Sequence, residues 1–195
     1  MLGLKELMQI HPAAKNVSNL LDNYEKMFSP LRDKEIVLLE LGVYQGYSLK
    51  IWQDYFPLGK IIGIDNNRGN ESYGRITEYS GGQDNTELLS RIASNHAPEG
   101  FDIIIDDCSH VGSLTKASFM HLFYNHLKSG GIYSIEDYGV SYEAGCWEGT
   151  PYAGVNHSSG IIGFVKDVID QMITKWYGPV ESLILQQENC FIIKR

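Results

Sequence analysis

The chain has 195 residues, 43% of them hydrophobic and 21% charged, which are the proportions of a globular protein large enough to bury a core. Its net charge is -8 and its Lys and Arg residues form no cluster, so the composition argues against nucleic acid as the main partner. No segment approaches the roughly 20 apolar residues of a membrane span, which argues against a membrane partner. The cysteines, Cys108, Cys146 and Cys190, are not in metal-ligand spacing, and we expect free thiols in a cytoplasmic protein.

The N-terminal stretch has a helical pattern. Residues 2–28 carry apolar side chains at helical spacings, and Pro12 is expected to divide them into two helices. Pro30 and Asp33 mark a turn into the first strand. We interpret residues 1–30 as a helical lid or packing layer over one edge of a sheet.

The first strand leads into a glycine turn. Residues 36–41 form a continuous apolar run, typical of a central parallel strand, which only Glu40 interrupts. Gly42 allows the backbone to approach a ligand closely, and the helix that begins near Tyr47 offers free N–H groups. The spacing of Glu40, Gly42 and Gly46 differs from the three-glycine dinucleotide fingerprint. An acidic residue just before the first glycine favours a cationic ligand group over a pyrophosphate.

A second strand, residues 60–65, ends in Asp65. Taken alone, such an acid would more often cap a helix or form a turn. Because it follows Glu40 and Gly42 by one strand-helix unit, we expect Asp65 to accept hydrogen bonds from both ribose hydroxyls of a nucleoside. Residues 75–79 are predicted to form a short third strand, followed by a helix over residues 86–95.

The chemistry of the chain is concentrated where two later strands end. Residues 101–105 are mostly apolar and run into Asp106, Asp107 and, three positions on, His110, while residues 131–135 run into Glu136 and Asp137. Because neighbouring parallel strands end at the same edge of a sheet, four carboxylates and one imidazole would meet there, as in a divalent-metal site. A lone histidine is more often structural, but the position of His110 among these carboxylates favours a role as a base.

The remaining segments complete an α/β domain. A helix over residues 113–127 is predicted to bury one stripe, which consists of Leu114, Ala117, Met120, Phe123 and Leu127. Residues 138–160 have no sustained period and are interpreted as a substrate loop, lined by Tyr138, Tyr142, Trp147 and Tyr152, or as a loop that is mobile without ligand. Two late apolar runs predict a C-terminal antiparallel hairpin. We therefore expect one domain over residues 1–195, with a Rossmann-like, mostly parallel seven-stranded sheet and helices on both faces.

Seven short motifs occur in one order between residues 28 and 142: FSPLRD at 28–33, LELGV at 39–43, SLKIWQDYFP at 48–57, GID at 63–65, IIDDCSH at 104–110, IED at 135–137 and SY at 141–142. Together they resemble a class I S-adenosylmethionine-dependent methyltransferase. More narrowly, they resemble the metal-dependent group that includes macrolide-sugar and rhamnosyl O-methyltransferases and the cephalosporin-hydroxylase-like proteins. The chain departs from that pattern at Cys108, where the group usually has glycine, and at Gly82, where an acidic residue is common.

The resemblance implies an enzyme that uses S-adenosyl-L-methionine and Mg²⁺ to methylate a hydroxyl of a small molecule such as a sugar or natural product, and that often assembles into homo-oligomers. It implies His110 as the general base. The implied magnesium ligands are Asp107, Glu136 and Asp137, and the implied methyl-donor site consists of Glu40, Gly42, Asp65, Gln83 and Asp106.

Two other functions stay open on the residues alone. An NAD-dependent oxidoreductase is disfavoured because the third glycine of the dinucleotide fingerprint is missing. A non-catalytic nucleoside-binding partner protein is disfavoured because it would not need Asp107, His110, Glu136 and Asp137 together. Cys108, at the usual glycine position, keeps this second alternative open.

Overall fold

A computed structural model describes residues 1–13, 15, 19–142, 160–174 and 178–195. Of the predicted substrate loop, residues 143–159 lie outside this part of the chain, and Trp147 and Tyr152 with them. Eight strands of the described chain form one sheet in the order β3-β4-β2-β1-β5-β6-β8-β7. They are β1 (Val37–Leu41), β2 (Lys60–Asp65), β3 (Glu71–Tyr73), β4 (Ile76–Ser80), β5 (Phe101–Asp106), β6 (Leu127–Glu136), β7 (Val180–Leu185) and β8 (Asn189–Lys194).

The sheet is parallel in its centre and antiparallel at both edges. Strands β4, β2, β1, β5 and β6 run parallel, whereas β8 and β7 form the predicted C-terminal antiparallel hairpin against β6. The mixed α/β architecture is confirmed, but the sheet has eight strands and not seven. The additional strand is β3, which pairs antiparallel with β4. Its three residues are polar or half-exposed, so no apolar alternation marks them in the sequence.

Helices cover both faces of the sheet. They are α1 (Leu4–Ile10), α2 (Leu20–Phe28), α3 (Tyr47–Tyr55), α4 (Thr86–His96), α5 (Gly112–Asn125) and α6 (Gly160–Thr174). Helices α1 to α3 pack on one face and α4 to α6 on the other, each over its own hydrophobic core. Pro12 lies between α1 and α2, as predicted. Among the described residues, no helix has both the length and the apolar composition needed to cross a membrane.

Alternation along β5 sends successive side chains to opposite faces. Ile103 and Ile105 pack in the core under α1 to α3, while Ile104 packs under α4 to α6. The alternation continues through the two aspartates at the end of the strand. The Asp106 carboxylate therefore meets α5, and the Asp107 carboxylate meets the N-terminal segment.

The buried face of α5 differs from the predicted stripe. Met120 is 43% exposed, and the buried side of the helix carries Ser118 and Phe119 in its place. Ser118 Oγ donates a hydrogen bond to Asp106, 2.8 Å away, and Phe119 packs on Tyr133 with ring centroids 5.0 Å apart. Because Ser118 is a polar residue whose hydroxyl pairs with a carboxylate from β5, a stripe defined by apolar residues alone missed it.

The order of the strands determines where a ligand can bind. From β1 the chain continues to β2 and β4 on one side, and then returns to place β5 on the other side of β1. In open α/β sheets, ligands bind at such a switch point, outside the carboxyl ends of the strands. The turn after β1 and the aspartates after β5 therefore flank one crevice.

Candidate functional site

The glycine turn after β1 brings the ends of β1 and β5 into contact. Gly42 has a φ of 87°, and its N–H donates to the carbonyl oxygen of Ile64 at 2.9 Å. A Cβ atom on Gly42 would lie 2.0 Å from the carbonyl oxygen of Asp107. Both the positive φ and this close approach require glycine, so the turn and the aspartate loop are fixed against each other.

Asp65 holds this turn to the end of β2. Its Oδ2 accepts hydrogen bonds from the backbone N–H groups of Val43 and Tyr44, at 3.0 and 2.9 Å, and its Oδ1 accepts one from the N–H of Asn67 at 2.7 Å. The carboxylate thus organises two loops that meet at the crevice, a feature that the predicted ribose role did not include.

A cleft of about 310 Å³ opens between these loops. It is lined by Ala13, Lys15, Gly42, Val43, Tyr44, Gln45, Tyr47, Ser48, Asp65, Asn66, Asn67, Asp107, Cys108 and Ser109. Among the residues predicted to bind the methyl donor, Gly42 and Asp65 line the cleft. Glu40, Gln83 and Asp106 do not; they are buried nearby.

Gln83 and Asp106 form a buried polar network with α5 and β6. Gln83 Nε2 donates to Asp106 Oδ1 at 3.2 Å, and the hydroxyls of Ser118 and Tyr133 donate to Asp106 Oδ2 at 2.8 and 3.1 Å. Burial raises the pKa of the Asp106 carboxyl to about 6 against these hydrogen bonds. Gln83 Oε1 also accepts from the N–H of Ser109, so the network supports a loop that lines the cleft.

Three carboxylates at the carboxyl ends of three strands surround the ammonium group of Lys15. Its Nζ lies 2.6 Å from Asp107 Oδ2, 2.6 Å from Glu136 Oε1 and 3.3 Å from Glu40 Oε1. Hydroxyl groups complete the cluster, since Tyr24 donates to Glu136 Oε1 at 2.7 Å and Ser48 donates to Glu40 Oε2 at 2.8 Å.

Burial and the neighbouring carboxylates act in opposite directions on the pKa of Lys15. Burial by itself would lower the pKa of Lys15, but the carboxylates of Asp107, Glu136 and Glu40 outweigh it and hold the pKa well above the usual lysine value. Burial raises the pKa values of Glu40 and Glu136, and the nearby charge of Asp107 acts in the same direction. One ammonium therefore does not fully compensate three carboxylates.

On its other side, Asp107 approaches His110 and Asp137. His110 Nε2 lies 4.0 Å from Asp107 Oδ1 and 3.7 Å from Asp137 Oδ2. The Asp137 side chain is 48% exposed, so this second group is open to solvent. Cys108 directly follows Asp107 in the sequence. Burial raises the pKa of its thiol to about 12, which keeps it neutral.

The described residues contain two groups whose possible metal-ligand atoms all lie within 4.8 Å of one another. One consists of Asp107, His110 and Asp137, the other of Glu40, Asp107 and Glu136. The predicted ligands Asp107, Glu136 and Asp137 are thus divided between the groups, with Asp107 in both. Oxygen donors suit Mg²⁺, and the buried Glu40 Oε1, 3.3 Å from Lys15 Nζ, accepts no hydrogen bond from the described residues. The residues therefore fit a divalent cation, and the assignment of individual ligands stays a prediction.

Sequence reasoning missed Lys15 and Tyr24 as site residues. Tyr24 was predicted only as part of an apolar helical pattern. Lys15 lies in the segment between two helices, where a single lysine is ordinarily a solvated residue. No local pattern reveals that it reaches carboxylates 92 and 121 residues further along the chain.

Comparison with curated proteins finds relatives named as O-methyltransferases. The chain is 34% identical over 158 residues to L-olivosyl-oleandolide 3-O-methyltransferase of Streptomyces antibioticus, which aligns 77% of this chain with 40% of that protein. It is 36% identical over 165 residues to 8-demethyl-8-(2-methoxy-alpha-L-rhamnosyl)-tetracenomycin-C 3'-O-methyltransferase of Streptomyces olivaceus, which aligns 80% of this chain with 41% of that protein. The chain thus spans about two fifths of the length of these relatives. No protein-family model matches it.

Solved structures agree with these relatives. MycE methyltransferase from the mycinamycin biosynthetic pathway, in complex with Mg, SAH and mycinamycin VI, aligns with a TM-score of 0.86 at 30% identity, over 99% of this chain and 54% of that one. SAH-bound methyltransferase PaMTH1 of Podospora anserina aligns with a TM-score of 0.56 at 17% identity, over 98% of this chain and 87% of that one, which shows the shared fold alone. In sequence the chain is a homologue of macrolide-sugar O-methyltransferases, and it has the fold of the class I S-adenosylmethionine-dependent methyltransferases.

Proposed function

We propose that the protein is an S-adenosylmethionine- and Mg²⁺-dependent O-methyltransferase that acts on a hydroxyl of a sugar in a natural product, within antibiotic biosynthesis. The observation that carries this proposal is the position of Asp107. It lines the cleft at the switch point of the sheet, and it belongs to both groups of possible metal ligands. A methyl donor in the cleft and an acceptor held beside the metal ligands would therefore meet at one residue.

The cleft supplies a binding site for the donor. Asp65 lies at the end of β2, where a carboxylate can accept hydrogen bonds from ribose hydroxyls. Gly42 allows the backbone to approach the ligand, and the aromatic residues Tyr44 and Tyr47 line the cleft with it. Such rings suit the positive sulfonium of the donor because a cation is attracted to an aromatic face.

His110 is the residue best placed to remove the proton of the acceptor hydroxyl. An imidazole can act as a general base near neutral pH. Asp107 and Asp137 lie 4.0 and 3.7 Å from its Nε2, and their negative charges would stabilise the imidazolium that forms. The leaving thioether needs no proton, so the site requires a base and no matching acid.

The acidic groups support the cation requirement. Bound Mg²⁺ would polarise the acceptor hydroxyl and lower its pKa. Asp107, Glu136 and Asp137 are the ligands that we propose for it, and each offers carboxylate oxygen, the donor type that magnesium prefers. The relative that aligns with a TM-score of 0.86 is in complex with Mg and SAH.

The segment over residues 138–160 is our proposed acceptor-binding element, and residues 1–30 our proposed lid. In support, Tyr138–Tyr142 directly follows Asp137 in a short 3-10 helix, and Lys15 from the N-terminal segment reaches the cleft. A single domain, a cytoplasmic location, homo-oligomer formation and the lack of a nucleic-acid partner stay predictions from the sequence.

Calorimetry with S-adenosylhomocysteine and with NAD, in Mg²⁺ and then in EDTA, tests the cofactor class. We expect binding of S-adenosylhomocysteine and not of NAD. Transfer of a labelled methyl group to glycosylated macrolides would then test the acceptor, with the same compound already methylated at the sugar hydroxyl as the matched control. Binding of NAD alone would instead support the oxidoreductase. If neither compound binds, the result would support the non-catalytic protein.

A further inference from the structure

Lys15 occupies the point at which three carboxylates at the carboxyl ends of β1, β5 and β6 converge. The side chain is 5% exposed, and its Nζ has carboxylate oxygens of Asp107 and Glu136 at 2.6 Å and of Glu40 at 3.3 Å. A compact positive charge surrounded by buried carboxylate oxygens is the environment that a metal cation also requires. The lysine therefore stands where a cation would bind.

The charges of the cluster favour exchange with a divalent cation. Formally, three carboxylates and one ammonium group carry two excess negative charges, whereas the same carboxylates with a divalent cation would carry one. Uncompensated charge is costly in a buried site. A divalent cation would thus neutralise the cluster better than Lys15 does.

The two positive groups need the same oxygens. Lys15 binds Asp107 Oδ2 and Glu136 Oε1, and both residues are among the proposed magnesium ligands. An ammonium group and a metal ion held by the same two carboxylates would repel each other strongly at such short distance. Hydroxyl donors from Tyr24 and Ser48 do not depend on the lysine and would keep the glutamates oriented after it leaves.

We infer that the Lys15 ammonium group occupies the cation site in the metal-free protein. There it holds the carboxylates together, and a divalent cation must displace it in order to bind. This inference rests on the proposed function, because it assumes that Asp107 and Glu136 bind metal. Lys15 is a positioning residue in this scheme. It sets the affinity for metal and the stability of the metal-free state, and it takes no part in methyl transfer.

The first test compares Mn²⁺ binding by the wild type and the Lys15→Met variant, measured from the electron paramagnetic resonance signal of free Mn²⁺. We expect the variant to bind Mn²⁺ about tenfold more tightly or better, because no buried ion pair has to be broken, and to melt at a lower temperature without metal. Lys5→Met is the matched control, since Lys5 is an exposed lysine that pairs with Asp22. Equal or weaker binding by Lys15→Met would overturn the inference.

The second test uses the unaltered protein and so does not depend on a variant that folds. Lysines are acetylated briefly with an amine-reactive ester, without metal and at saturating Mn²⁺, and each site is quantified by peptide mass spectrometry. We expect acetylation of Lys15 to rise several-fold with metal relative to Lys5. Unchanged acetylation of Lys15 at saturating metal would show that the ammonium group stays in place, and would overturn the inference.

The tests separate this inference from the proposed function. If the wild type binds S-adenosylhomocysteine and Mn²⁺ but neither readout on Lys15 changes, the inference fails and the methyltransferase proposal stands. If S-adenosylhomocysteine binds but no Mn²⁺ binds to either protein, the inference and the metal requirement fail together.

Discussion

His110 and Asp137 face each other beyond the ends of β5 and β6, with His110 Nε2 3.7 Å from Asp137 Oδ2, and both residues have left-handed backbone conformations. Their φ angles are 55° and 51°. For residues other than glycine, this conformation costs roughly 1–2 kcal/mol, and such strain is concentrated at functional sites. The strained pair supports His110 as the base and Asp137 as the charge that stabilises its protonated form.

Substitution of His110 tests this role. His110→Ala should reduce methyl transfer by about 10²- to 10⁴-fold, which is the usual contribution of a general base, and should leave the affinities for S-adenosylhomocysteine and Mg²⁺ nearly unchanged. Single-turnover rates and calorimetry would measure the two effects separately. His11→Ala is the control, because His11 bonds to Asp54 on the surface at 2.7 Å. A fully active His110→Ala variant would show that another group removes the proton.

Asp65→Ala should weaken binding of S-adenosylhomocysteine about tenfold or more, equally in Mg²⁺ and in EDTA. The variant loses a proposed acceptor for the ribose and also three hydrogen bonds from backbone amides to a charged group, each worth about 1.5–3 kcal/mol. Calorimetry measures the affinity, and Asp54→Ala controls for loss of one acidic side chain on α3. Unchanged affinity would remove Asp65 from the donor site.

A pair of glycine substitutions separates backbone strain from steric overlap. Gly130 has a φ of 75° with no atom within 4 Å of an added Cβ, so Gly130→Ala should lower the free energy of unfolding by about 1–2 kcal/mol. Gly42→Ala should lower it by about 3 kcal/mol or more, because its Cβ would lie 2.0 Å from a backbone oxygen of Asp107. Urea denaturation measures both. Equal losses would mean that the ends of β1 and β5 move apart easily.

The buried carboxyl of Asp106 should make stability depend on pH. Burial raises its pKa from 3.8 to about 6, so the folded protein binds this proton more tightly than the unfolded chain does. The resulting stabilisation, up to about 3 kcal/mol, is complete below pH 3.8 and is lost as the pH rises towards 6.

Asp106→Asn isolates this contribution from other titrating groups. The wild type should gain stability relative to the variant as the pH falls from 7 to 4, measured as the difference between their free energies of unfolding in urea. Asp84→Asn, in the loop before α4, serves as the control. A difference that is independent of pH would contradict the raised pKa.

The sequence by itself determined the central strands and the place of the chemistry. Apolar runs that end in polar residues predicted β1, β2 and β5 to within one residue at each end, because a strand buried on both faces requires such a run. Carboxylates after two neighbouring strands predicted an acidic site where the carboxyl ends of the strands meet. In the structure, the possible ligand atoms of Asp107, His110 and Asp137 lie within 4.8 Å of one another.

Only the tertiary structure decided which faces these carboxylates meet and that Lys15 pairs with three of them. Asp106 and Asp107 are adjacent in sequence but point to opposite faces of the sheet, so one joins a network under α5 and the other joins Lys15. The serine on the buried face of α5 depends in the same way on the fold, because its partner Asp106 lies at the end of β5. Pairing across 92 or 121 residues leaves no local period in the sequence, because it arises only once the sheet has assembled.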